Sequence, residues 1–265
     1  ATATSLDIAR ASAEFKGETN VLFESAGTVV NRQFTGASDT WENGGDVNFP
    51  YRSITSASAS SGASGYTISH TTVGENRCLV VVLQANAQFP DPSSVTYAGA
   101  SMTKAGSVVG AGAGSTSVAV YYLANPTIGT NNIVLSGWNT GSGNFTAGHV
   151  AIMSAINLVG IDQDSPVRNT ETTSTTATSI TDDITTVAGD LVIAALTVDD
   201  GPTITAGANQ TEIYDVIGSG DYSYNISTET ATTTTTTMSY SFGASEPGRM
   251  VSVAFVPGRS GDEAS

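Results

Sequence analysis

The side chains of this sequence best suited to chemistry are carboxylates in close pairs: Asp162 and Asp164, Asp182 and Asp183, and Asp199 and Asp200. Each pair borders an apolar run and is expected at a strand end. Oxygen-rich loops at such ends can take Ca²⁺, with backbone carbonyls completing the shell. None of the pairs has the D-x-[DN]-x-[DN]-G spacing. Paired aspartates at turns also serve local hydrogen bonding, the commoner use. Asp162, Asp164, Asp199 and Asp200 are the candidate Ca²⁺ ligands, and no other cofactor is expected.

General acid–base or nucleophilic chemistry needs more than carboxylates. The sequence has two imidazoles, His70 and His149. His70 lies in the alternating segment Tyr66-Thr67-Ile68-Ser69-His70, and His149 opens an apolar run, so both are expected to be structural. There is no G-x-S-x-G elbow, no HExxH pair and no phosphate-binding loop. The glycines between Gly110 and Gly114 precede a strand rather than a helix and read as a turn. A non-enzymatic protein is the expectation.

Recognition by stacking is the remaining chemistry. Trp41 stands in the turn-rich stretch Trp41-Glu42-Asn43-Gly44-Gly45-Asp46. Phe89 and Asp91 stand in Gln88-Phe89-Pro90-Asp91-Pro92-Ser93, and Trp138 precedes the loop Asn139-Thr140-Gly141-Ser142-Gly143. These four residues are the candidate contacts to a glycan or a protein partner. The alternative for Trp138 is a tryptophan covering the end of a core.

The formal net charge is −15 and the two lysines are Lys16 and Lys104. A phosphate backbone or an anionic leaflet would be repelled, which argues against nucleic acid and membrane partners. No run approaches the roughly 20 apolar residues of a helical span. Charged residues are 12% of the chain against 39% hydrophobic, so the polar surface is built from hydroxyls and amides. The single cysteine, Cys78, sits in the run Cys78-Leu79-Val80-Val81-Val82-Leu83 and reads as a small buried hydrophobe.

Positioning these groups falls to strands. Apolar runs rich in Val, Ile and Tyr, bounded by Gly, Asn, Asp and Pro, recur from Tyr66 to Val256. The one helical candidate is 5–15, with Ser5 as cap. Val21-Leu22-Phe23 and Thr28-Val29-Val30 around Ser25-Ala26-Gly27 predict a hairpin. Residues 53–65 are small and polar and read as a linker or a long extended strand, placing a domain boundary near residue 60.

A strand cassette occurs twice. Thr71-Thr72-Val73 before Leu79-Val80-Val81-Val82-Leu83 matches Thr185-Thr186-Val187 before Leu191-Val192-Ile193-Ala194-Ala195-Leu196. Ala98-Gly99-Ala100 matches Ala206-Gly207-Ala208, and the copies close on the apolar runs 149–156 and 249–256. The first copy carries the longer turn, at Gln88 to Ser93. Each copy makes a sheet with one apolar face that the other can cover. The expected fold is therefore all-β: one jelly-roll-like sandwich over 66–257, built from 66–161 and 178–257. Residues 162–178 would be a polar crossover, 1–65 an extended arm or small β region used in assembly or anchoring, and 258–265 a polar tail.

The series Val95-Thr96-Tyr97-Ala98-Gly99, Tyr121-Tyr122-Leu123-Ala124-Asn125-Pro126, Gly160-Ile161-Asp162-Gln163, Ala188-Gly189-Asp190-Leu191-Val192 and Val251-Ser252-Val253-Ala254-Phe255-Val256-Pro257 resembles β-rich modules of phage and prophage virion proteins and of bacterial secreted surface proteins. The likeness covers 66–257, rests on strand and turn signatures, and transfers no functional residue. It implies a virion structural protein at the particle surface, either a head decoration or a tail or fibre component, partnered by other subunits as a homo-oligomer. The alternatives are a secreted or cell-surface adhesin or carbohydrate-binding module, and a self-assembling extracellular filament subunit.

Overall fold

The computed structural model describes residues 21–25, 28–32, 53–60, 65–86, 92–110, 116–137, 150–218 and 222–258. The chain divides into two units, Ala1–Asp46 and Val47–Ser265. In the first, β1 (Val21–Ser25) and β2 (Thr28–Arg32) form the expected hairpin, with Val21 opposite Arg32 and Ser25 opposite Thr28. The helical candidate 5–15 lies outside the described residues.

The second unit holds the duplicated cassette. Its first copy contains β3 (Ser53–Ser60), β4 (Gly65–Thr72), β5 (Cys78–Ala85), β6 (Ser94–Tyr97), β7 (Ala100–Ser101), β8 (Thr103–Val109), β9 (Ser117–Ala124), β10 (Gly129–Ser136) and β11 (Val150–Leu158). These form two antiparallel sheets, ordered β3-β11-β5-β9-β8 and β4-β10-β6-β7. Leu79, Val81 and Leu83 of β5, Met153 of β11 and Tyr121 of β9 meet Ile68, Val95, Tyr97, Ile133 and Leu135 of the smaller sheet. The hydroxyl of Tyr97 donates to the carbonyl of Gly129 (2.7 Å), so the buried ring keeps a partner for its polar tip.

The second copy uses fewer, longer strands: β12 (Val167–Thr185), β13 (Leu191–Val198), β14 (Thr205–Ala206), β15 (Thr211–Gly218), β16 (Tyr222–Thr230) and β17 (Thr235–Phe255). β12 and β17 pair along nearly their whole length, with an extra residue at Arg168 and one corner, where Phe242 to Ser245 stand opposite Thr178 alone. Gly243 turns there with φ +58°, a conformation that costs glycine little. Past the corner the ribbon folds back, laying Ile180, Ile184, Met238, Tyr240 and Phe242 onto Val192, Ala194, Leu196 and Met250. One continuous pair of strands thereby serves both sheets of the second sandwich.

The copies match strand for strand. The inner sheet of the second, 167–177 of β12, 248–255 of β17, β13, β16 and β15, repeats β3-β11-β5-β9-β8. The outer sheet, 179–185, 235–242 and β14, repeats β4-β10-β6. Cys78 pairs with Leu158 and Ala124, as Leu191 pairs with Phe255 and Thr230. A β-bulge after Lys104 recurs after Glu212.

Two sequence expectations are corrected here. Residues 53–60, for which the sequence left a linker or an extended strand open, are a strand, and 167–177, read as crossover, is its equivalent: they are the first strands of the two copies. They lack apolar alternation because they are edge strands of small polar residues, and the sandwich pair begins at Ser53 rather than Tyr66. Nor do the copies supply one sheet each to a single sandwich: each builds its own. The five-stranded sheets then stack face to face, burying Cys78, Val80, Val82, Val118, Val120, Ile156 and Leu158 against Leu191, Ile193, Ile226, Val251, Val253 and Phe255. β8 lies over β12 and β17, and β5 over β13, so the two sheets run in opposite strand order. β5 and β13 are covered on both faces, which is why they read as unbroken apolar runs. Each Val or Leu buried there contributes about 1.5–3 kcal/mol.

Candidate functional site

Corresponding strand ends of the two copies coincide, so the stacked sandwiches have two distinct ends. At one, called the tip, β5 and β13 finish and β9 and β16 begin. At the other, the base, β5 and β13 begin and β11 and β17 finish.

The tip end of the inter-sandwich core is polar. Gln84, Thr116, Ser117, Thr197, Asn225 and Arg249 are buried there. Gln84 Nε2 crosses from one sandwich to the other, donating to the carbonyls of Leu196 (2.7 Å) and Asn225 (3.2 Å). Thr197 Oγ1 returns across it to the Ser117 carbonyl (3.5 Å). Arg249 Nη1 donates to the carbonyls of Gly248 (2.8 Å) and Thr175 (3.2 Å), and burial pulls its pKa down. The guanidinium lies against Gly110, where an added Cβ would come within 3.1 Å of both Nε and Nη2.

Around the tip stand Asp199, Asp200 and Glu246. Asp199 N donates to the Pro247 carbonyl (3.0 Å), and Asp200 has φ +56°. Dehydration, followed by the charges of Asp200 and Asp199, raises the pKa of Glu246. Asp162 and Asp164 sit instead at the base: the Asp162 carboxylate accepts from the backbone N–H groups of Asp164 (2.9 Å) and Ser165 (2.8 Å). That is the local turn use of a carboxylate. The structure does not bring the four candidate Ca²⁺ ligands together, because residues 248–255 of β17 separate the two pairs. Among the described residues no group of three or more His, Cys, Asp or Glu is placed to hold a metal ion.

Trp41, Phe89, Asp91 and Trp138 lie outside the described residues, as does His149. The strand ends flanking Phe89 and Asp91 (Ala85, Ser94) and preceding Trp138 (Ser136) are tip ends. His70 is buried in the first sandwich, and burial lowers its pKa to about 4, leaving the ring neutral near pH 7. Cys78 is fully buried, with its thiol pushed up to about 12 by the same cause. Neither offers a reactive group to solvent.

Sequence reasoning missed the charged clasps at the base. Arg168 reaches back along the ladder to Asp190 through Nε to Oδ2 and Nη2 to Oδ1 (3.1 Å), and Asp190 also accepts from Val187 N (2.8 Å). In the first copy the equivalent position before β5 is Arg77, which donates to the Pro126 carbonyl (2.6 Å) and to Asn125 Oδ1 (2.7 Å). A charged residue immediately ahead of each unbroken apolar run was the available signal.

Compared with protein-family models, curated proteins and solved structures, the chain matches none.

Proposed function

We propose that this chain is a non-enzymatic structural protein of a virus particle, a head decoration or a tail or fibre component, that binds neighbouring subunits at its base and presents stacked sandwiches at the particle surface. The observation that carries this reading is where the chain enters and leaves. Ser53 opens β3 opposite Asn157, and Gly258 follows β17 beside Gly160, so both connections emerge at the base. The strand ends Ala85, Ser94 and Ser136, which flank Phe89 and Asp91 and precede Trp138 in the sequence, lie at the tip. Attachment at one pole and display at the other is the geometry a surface protein needs.

The interleaving of strands adds support by analogy. In each copy the first strand lies beside the last and the second beside the next to last. We read this as jelly-roll connectivity, frequent in viral capsid and lectin domains, although fold alone does not assign function. The test is to purify particles from cells carrying the gene and locate the chain by mass spectrometry and gold-labelled antibody. Co-purification through a salt wash, with label at the particle surface, is the expected result. Recovery only from the secreted or cell-envelope fraction overturns it.

The same display geometry favours one other reading, a secreted or cell-surface adhesin that takes glycans at the tip. A glycan array run with Ca²⁺ should then show binding to one glycan class, lost in Trp138→Ala.

A further inference from the structure

Superposing the ladders of the two copies shows a coordinated exchange of residue types at one place. Met153 and Met250 hold the same position in β11 and β17, so Thr55, Ala57 and Ala155 of the first copy correspond to Glu171, Thr173 and Ser252 of the second. Thr72 and Thr186, whose hydroxyls donate alike to the carbonyls of Thr127 and Thr233, align Ile68 with Asp182. Ile68 and Ala155 are apolar core in the first sandwich. Their counterparts Asp182 and Ser252 are equally buried, at 7% and 0% exposure. A carboxyl and a hydroxyl have replaced an isoleucine and an alanine between two sheets.

The group spans the fold of the β12 ribbon. Thr173, before the corner, donates its hydroxyl to Asp182 Oδ1, after the corner, at 2.8 Å. The second oxygen, Oδ2, is buried without a hydrogen bond, and so is Ser252 Oγ. Ser252 is close enough to act on the carboxyl but stands off hydrogen-bonding geometry. Besides Thr173 and Ser252, the groups acting on Asp182 are Glu171, from the inner sheet, and Asp183, its neighbour in the outer one. Both carry like charge. Burial, the largest influence, raises the pKa of Asp182, and the two carboxylates add to the rise against the opposing pull of the Thr173 and Ser252 hydroxyls. An ionised carboxylate there is poorly solvated, whereas a protonated one can donate Oδ2–H toward Ser252 while still accepting from Thr173.

We propose that Thr173, Asp182 and Ser252 form an acid-strengthened clasp that holds the outer sheet of the second sandwich onto the inner one, closing as the medium acidifies and loosening as it becomes neutral, a control the first sandwich lacks. The direction follows from linkage. The folded state binds the Asp182 proton more tightly than the unfolded chain, so closure is fully favoured below the unfolded pKa and is lost as pH rises through the folded one. Within that window the folding constant changes about tenfold per pH unit.

The experiment compares the whole chain with Asp182→Asn, Asp182→Ile and, as control, Glu75→Gln, an exposed carboxylate of the first sandwich. Denaturant midpoints and backbone hydrogen exchange at 179–185 and 235–242 are followed from pH 7.5 to 4. The wild type and Glu75→Gln should gain midpoint and exchange protection on acidification relative to the two Asp182 variants, whose profiles lack that component. Asp182→Ile restores the residue type the first copy carries, so it keeps the test valid if the asparagine variant folds poorly. The ¹³C carboxyl resonance of Asp182 should titrate above the ordinary range near pH 4. Parallel pH profiles for wild type and both Asp182 variants, or an ordinary carboxyl titration, would overturn the clasp.

Discussion

Gln84 of the first sandwich donates its side-chain amide to the Leu196 carbonyl of the second across 2.7 Å of interior. The same nitrogen also reaches the Asn225 carbonyl, so one side chain ties the inner sheets together where their apolar contact gives way to polar groups. Replacing it with alanine removes both bonds and opens a cavity. Gln84→Ala should lower the unfolding free energy by about 2–4 kcal/mol, read from urea denaturation with an unchanged m-value. A shallower m-value would instead mean that the two sandwiches unfold separately.

Gly106, just past the β8 bulge, lets that strand cross the second sandwich closely. An added Cβ would fall 2.6 Å from Thr170 Cγ2 and 3.2 Å from Val251 Cγ1. Gly106→Ala should destabilise by about 1–3 kcal/mol through overpacking. Adding Thr170→Ser, which deletes the obstructing methyl, should recover much of the loss in a double-mutant cycle.

Asp190 is wholly buried and Arg168 is its ion-pair partner, with an arginine side chain 32% exposed. Truncating the arginine leaves a buried carboxylate with less compensation. Arg168→Ala should cost about 2–3 kcal/mol near pH 7, discounted from the fully buried case for the solvent that reaches the guanidinium. Arg168→Lys should recover only part, because an ammonium cannot reproduce the two-pronged contact. Thermal melts of the three proteins decide the ordering.

His70 makes the first sandwich respond to acid in the opposite sense from Asp182. Its folded pKa is near 4, against about 6.5 when unfolded, so its contribution is complete above the unfolded value and fades as pH falls toward the folded one. The slope is roughly 1.4 kcal/mol per pH unit. The second sandwich carries Ile184 at the equivalent position. His70→Ile should therefore flatten the acid limb of the stability profile between pH 6.5 and 4 relative to wild type.

The sequence showed the large repeating units better than the joins between them. Leu79 to Leu83 and Leu191 to Leu196 were legible as strands and as counterparts. Their unbroken hydrophobicity also bears on the architecture: a strand apolar on both faces needs cover on both, which a single two-sheet sandwich cannot give it. The strand at 53–60 could not be told from a linker, and the one at 167–177 read as a crossover, because an edge strand rich in serine, threonine and alanine has no apolar period. The base clasp was hidden for a different reason. A charge ahead of each apolar run marked Asp190, but its partner Arg168 is brought to it only by the pairing of β12 and β13 with β17, a fact of three-dimensional order.

The location of both chain connections at the base has a mechanical meaning. A molecule held there and pulled from its tip is loaded along its strand axes, so the β13–β16 and β5–β9 ladders resist in shear, with all their bonds sharing the force. Tension between Ser53 and Gly258 acts across the strands instead and peels β3 from β11 one bond at a time. The stacked sandwiches are thus strong along their strand axes and weak against a load that spreads Ser53 from Gly258.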